Sequence, residues 1–192
     1  MRPTLPPRQR GATLIEVMIS ALIVAFGMLA MIALQSNAIK YTKTSEYRSV
    51  ATLLANDLAD RMRVNAEDGA MAGRYDLLTA YEKPTTVPAR TECAAPTNCT
   101  PTDLATRDLG EWRRALYFSL PGGNGFVQSD PTNRAVNIWV AWQDPDETAR
   151  PVGDNGAVKE CPAAFLPTAG TATPRCMYFR IGMAPPPPPS LP

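Results

Sequence analysis

Glu16 is the only ionisable side chain between Ala12 and Leu34, a run of 23 residues. A carboxylate placed in lipid costs up to about 2.5–3.5 kcal/mol at the bilayer centre, so a partner that offsets this cost is expected. Just upstream, residues 1–11 carry Arg2, Arg8 and Arg10 with no acid, and Gly11 closes that basic stretch. The other residues with distinctive chemistry are four cysteines, Cys93, Cys99, Cys161 and Cys176, all downstream of the apolar run. An even count in an exported domain favours disulfides. A zinc site is the competing reading, but it lacks paired C-x-x-C spacing and any histidine, since the chain has none. The absence of histidine also removes Ser-His-Asp and Cys-His nucleophilic catalysis. No cluster of catalytic, metal-ligating or cofactor-binding residues stands out, and the expectation is a protein that is not an enzyme, without cofactor or metal.

These residues need elements to position them. As a helix, Ala12–Leu34 would rise about 34 Å, enough to cross a bilayer's hydrocarbon core. A cleaved signal peptide, with Ala30 and Ala33 near its end, and an uncleaved signal anchor both remain open from the residues alone. The anchor and a processed subunit agree on orientation: the arginines stay in the cytoplasm and the bulk of the chain lies outside. Charge falls the same way, with 19 basic and 18 acidic residues in all but 11 basic and 14 acidic beyond residue 66. That deficit argues against a nucleic-acid-binding surface.

Beyond Leu34 no proline occurs until Pro84, and Tyr47, Val50, Leu54, Leu58 and Met62 recur at three- and four-residue steps. The periodicity predicts one helix from Thr13 to about Asn65, roughly 80 Å long, amphipathic in its second half. Glu67-Asp68-Gly69 then ends it. Residues 69–102 read as a long loop holding Cys93 and Cys99. Thr100 as cap and Pro101 at the first helical position open a second helix of about 18 residues, with Leu104, Leu109, Trp112, Leu116 and Leu120 on its apolar side. Pro121-Gly122-Gly123 ends it in a turn; the segment lacks the Lys-Ser/Thr of a phosphate loop.

Strand signatures come next. A short strand over Phe126–Gln128 and a turn at Asp130-Pro131-Thr132-Asn133 lead into an alternating run of Val136, Ile138, Val140 and Trp142. A loop over 144–175 precedes a last strand over Cys176–Met183. Trp139 and Trp142 could bind sugar or peptide, but sheet packing is the expected role. Pro185–Pro189 begin an exposed polyproline tail. The expected class is α+β, a long N-terminal helix packed on a small antiparallel sheet with an extra helix.

The stretch "RGATLIEVMISALIVAFGMLAMIAL" resembles the N-termini of type IV pilins and pseudopilins. The resemblance implies that a prepilin peptidase cuts between Gly11 and Ala12, that the new amine of Ala12 is methylated, and that Glu16 becomes the fifth residue of the mature chain. Ala12 departs from the phenylalanine most common there, and the apolar half carries Gly27 where major pilins usually carry a proline. Downstream, "DLADRMRVN", "LGEWRRALYFSLPGG", the tryptophan-rich strand and the last strand resemble PilV-type minor pilins. GspI-like minor pseudopilins of type II secretion share the helix and are the alternative; a DNA-uptake pilin and a membrane-anchored periplasmic enzyme are more distant ones.

What this resemblance implies is a cleaved leader at 1–11, a transmembrane or filament-core helix at 12–34, its amphipathic continuation at 35–66, a periplasmic head at 67–184 and a tail at 185–192. It also implies partners: other minor pilins, the major pilin, prepilin peptidase, the inner-membrane assembly machinery and a PilY-type tip adhesin. In the oxidising periplasm the pairing expected is Cys93 with Cys99 and Cys161 with Cys176, because each pair closes the shorter loop.

Overall fold

The computed structural model describes residues 11, 13–93, 99–143, 161–166 and 173–185. Among the described residues the main elements are two α-helices and three strands. Helix α1 spans Leu14–Val64, α2 spans Pro101–Ser119, and strands β1 Asn124–Asp130, β2 Ala135–Trp142 and β3 Arg175–Gly182 form one antiparallel sheet in the order β1-β2-β3. The chain divides into two compact units, Met1–Thr42 and Lys43–Pro192. In the first unit every described residue is exposed, and the large apolar side chains from Leu14 to Tyr41 have no core of their own.

In the second unit α1 buries Ala51, Ala55, Leu58, Ala59 and Met62, with Tyr47, Val50 and Leu54 packed at the margin. Leu58 and Met62 lie on the stripe read from the sequence. The three alanines are additions: small side chains let the helix backbone approach the elements packed on it, a role that hydrophobic size does not reveal. The sheet presents Val127, Val136, Ile138, Val140 and Trp142 to the same core, all buried. Strand alternation sends Phe126, Ala141 and Cys176 to the other face, where Tyr81, Cys161 and Phe165 join them in a second, smaller core.

Several elements differ from the sequence expectations. The first strand runs Asn124–Asp130 rather than Phe126–Gln128, because β2 supplies partners for all seven residues, from Asn124 opposite Ala141 to Asp130 opposite Ala135. The last strand begins one residue earlier than expected and ends at Gly182. The α-helical part of α1 ends at Val64, and a π-helical turn over Ala66–Met71 succeeds it, with the Ala70 N–H donating to the Asn65 carbonyl at 2.9 Å. A side chain on Gly69 would lie 2.3 Å from Asn65 Nδ2, so glycine permits that wide turn. The stretch read as a long loop, 69–102, carries the end of this turn, a backbone bridge between Leu77 and Val127, and the buried Tyr75 and Tyr81. Between β1 and β2 the turn is a 3-10 segment, Pro131–Asn133, closed by Arg134 in the left-handed region at φ 47°.

Thr100 and Asp103 cap α2 reciprocally: the Asp103 N–H donates to Thr100 Oγ1 at 3.2 Å and the Thr100 N–H to Asp103 Oδ2 at 3.1 Å. Hydrogen bonding to Thr100 holds the Asp103 carboxyl below its ordinary value. Loop 69–102 is described except for 94–98, and the expected loop 144–175 only at 161–166 and 173–175; leader residues 1–10, Ala12 and tail residues 186–192 lie outside the described residues.

Candidate functional site: the N-terminal segment and the head

Gly11 is exposed, and the helix begins two residues beyond Ala12, which lies outside the described residues. Glu16 occupies the first turn of α1, where the Glu16 and Val17 N–H groups donate to the Thr13 carbonyl at 3.1 and 3.3 Å. Its side chain is exposed, as are those of the apolar residues beyond it. A carboxylate in a first turn is favoured by the helix dipole, about 0.3–1 kcal/mol when solvated. The helix is long and apolar enough to cross a membrane. Glu16 is therefore a charge presented at the start of an apolar rod.

Polar groups that the apolar periodicity does not register lock α1 to α2. Arg61 Nη1 donates to Glu111 Oε2 at 2.6 Å and to Asp108 Oδ1 at 3.5 Å, while Arg61 Nε donates to Asp57 Oδ2 at 3.1 Å. Tyr75 donates its hydroxyl proton to Asp108 Oδ2 at 2.7 Å, and Asn65 Nδ2 donates to the Pro101 carbonyl at 2.8 Å. Asp108 is buried and has both oxygens engaged. Burial, then the bond to Asp108, raises the Tyr75 pKa, and burial pushes Tyr81 up to about 12. Arg61 lowers the Glu111 carboxyl below its ordinary 4.5. A sequence signal existed for this clamp: Asp108 sits four residues from both Leu104 and Trp112, on the apolar side of α2.

Further bonds tie the helices, the sheet and the loops together. Trp112 donates its indole N–H to the Leu54 carbonyl at 2.9 Å. Arg134 pairs with Glu67 of the π-helical turn and donates to the Ala184 carbonyl at 2.6 Å, while the Met183 N–H donates to the Arg134 carbonyl at 2.8 Å. Disulfides join Cys93 to Cys99 and Cys161 to Cys176, the latter tying β3 to the segment that covers the second core. Trp142 is buried against α1's side of the sheet, whereas Trp139 lies half-buried on the opposite face.

Residues 6–32 match the family model of the prokaryotic N-terminal methylation motif, and residues 33–110 match a Tt1218-like model described as type IV pilin Tt1218. No curated protein and no solved structure matches the chain. The two matches adjoin, and with the long apolar helix and the antiparallel sheet they support a pilin-type structural subunit of the type IV pilin superfamily. That family is structural rather than enzymatic, and the motif with its apolar helix fits membrane anchoring and a pilus.

Proposed function

We propose that this chain is a PilV-type minor pilin, made as a prepilin in the bacterial inner membrane with its head in the periplasm, and that it primes the pilus and sits at or near the tip. The observation that carries the reading is Glu16, the lone ionisable residue in the exposed apolar part of α1 and in its first turn. Cleavage between Gly11 and Ala12 would create a positive α-amine close to it, with Glu16 as the fifth residue of the new chain. In a bundle of packed helices that exclude water, the amine of a neighbouring subunit meets the Glu16 carboxylate, and their attraction sets the axial register. The first subunits have no such bundle to join, so a complex of minor pilins, this chain among them, supplies it. Its partners are then the other minor pilins, the major pilin, prepilin peptidase, the inner-membrane assembly machinery and a PilY-type tip adhesin.

The test is a deletion strain complemented with the natural chain or with Glu16→Leu. Deletion should sharply reduce surface pili while the major pilin stays abundant in the membrane. Glu16→Leu should be cut after Gly11 and kept in the membrane, since leucine inserts more easily than glutamate, yet be recovered poorly in sheared pili. Pili of normal number in the deletion strain remove the priming role. Normal incorporation of the leucine variant removes the docking role of Glu16.

A further inference from the structure

Among the described residues, the sheet face opposite the one packed on α1 is covered over only part of its extent. At one end the second core, which includes Phe126 and has Trp139 at its margin, seals it; two rows of side chains cross the strands from that margin outward. The first is aromatic, Phe126, Trp139 and Tyr178, in register across all three strands. Phe126 is buried, its ring 5.6 Å from Trp139 in an edge contact, while Trp139 and Tyr178 lie 4.8 Å apart with their planes tilted by 33°. Tyr178 is 47% exposed. The second row, two residues further along each strand and so about 7 Å away, is Gln128, Asn137 and Arg180.

The polar row is held in place by its neighbours. Asn137 Oδ1 accepts from the Tyr178 hydroxyl at 2.7 Å and from Arg180 Nη1 at 3.5 Å, which leaves the Asn137 amide protons as its outward donors. Arg180 Nη2 donates to Asp130 Oδ2 at 3.0 Å, and Asp130 is itself fixed by Asn133. The single cation in the row is therefore neutralised on the spot. Among the described residues, the face combines an exposed aromatic ring with planar hydrogen-bonding groups, and its one cation is matched by one carboxylate.

We infer that this face is a binding site for an uncharged pyranose unit of a glycan chain. The sugar's apolar face, with its slightly positive C–H groups, matches the outer face of the Tyr178 ring, whose inner face stacks on Trp139. Its hydroxyls, each both donor and acceptor, match the carboxamides of Asn137 and Gln128 and the outer edge of the Arg180 guanidinium. The charge balance selects against an anionic ligand, because Asp130 already satisfies Arg180. An apolar protein partner fits less well, since it would leave the fixed amide and guanidinium donors desolvated without acceptors. The ring pair and the hydrogen bonds exist before any ligand arrives, so little ordering accompanies binding.

The site is tested with the full-length chain in a detergent that contains no sugar, by saturation-transfer NMR against maltotetraose, cellotetraose and chitotetraose, with an oligogalacturonate as the anionic comparison. Saturation should reach the ring protons of at least one neutral probe. It should fall at least fivefold in Tyr178→Ala and in Asn137→Ala, and should be unchanged in Phe118→Ala, an exposed aromatic on α2. Near-ultraviolet circular dichroism and the thermal midpoint check that each variant is folded; should either β-strand variant misfold, the exposed Gln128→Ala replaces it, with at least a twofold loss expected. Absence of saturation from all three neutral probes overturns the proposal, as does undiminished transfer in folded Tyr178→Ala or a stronger response to the oligogalacturonate. Loss of Tyr178→Ala from sheared pili without any saccharide signal would make the face a contact between subunits instead.

Discussion

Gly125 shows how one position on a strand can be fixed by a residue on another element. A Cβ built there would stand 2.2 Å from Cη2 of Trp112, whose ring fills the space above β1. The indole cannot withdraw easily, because its N–H is bonded to the Leu54 carbonyl in α1. Gly125→Ala should therefore destabilise the head by about 1–3 kcal/mol, the usual range for an overpacked core. For a unit of this size that is a fall of about 2–12 °C in thermal midpoint, measured by circular dichroism. In a Trp112→Leu background the same substitution should cost less, since the clash then disappears, although that background itself loses the indole hydrogen bond and leaves a cavity. At this scale the sequence supplied the tryptophan and the glycine but not their contact, which brings together residues 13 positions apart on different elements.

Between elements, the joint of α1 with α2 depends on charge as well as on apolar packing. The folded state holds the Glu111 carboxyl below its ordinary 4.5 through the hydrogen bond from Arg61. A depressed carboxyl pKa means that the unfolded chain binds the proton more readily, so the contribution is fully present above about pH 4.5 and is lost as pH falls through the lower folded value. Glu111→Gln should thus cost about 1–2 kcal/mol at neutral pH, the partial exposure of the pair limiting the figure. It should also flatten the decline in stability between neutral pH and pH 3. Urea midpoints of both proteins across that range check it; equal slopes would mean that the pair does not titrate as described. Some slope should remain in the variant, because Asp103 and Asp130 are lowered by their own hydrogen bonds to Thr100 and Asn133.

For the molecule as a whole, the second core is the part most dependent on a covalent link. It contains Cys161 and Cys176, and the bond between them spans 15 residues of sequence. In the chain-entropy account a loop of that length is worth about 3 kcal/mol of stability. Peptide mapping without reductant should recover Cys93 with Cys99 and Cys161 with Cys176. Replacing Cys161 and Cys176 by alanine should lower the head's thermal midpoint by about 6–12 °C. A shift below 2 °C would mean that the backbone bond from Tyr81 to the Phe165 carbonyl, at 2.9 Å, and the apolar contacts hold the segment alone. The same comparison bears on the outer sheet face, since Trp139 packs against this core.

The sequence alone determined the features that depend on near neighbours along the chain. The apolar run with Glu16, the proline-free stretch that lets α1 continue to Val64, the Thr100-Pro101 start of α2 and the alternation of β2 are periodic or capping signals written within a few residues. Tertiary structure decided the rest. Only packing shows that Ala51, Ala55 and Ala59 face the core, that Asn124–Asp130 forms a strand along its full length, and that the turn after Asn65 is π-helical. The physical reason is range: a strand's ends are set by the partner it finds, and an alanine is buried by what lies over it. Asp108 carries the same lesson: its buried carboxyl is satisfied by Arg61 and Tyr75, which reach it from 47 and 33 residues away.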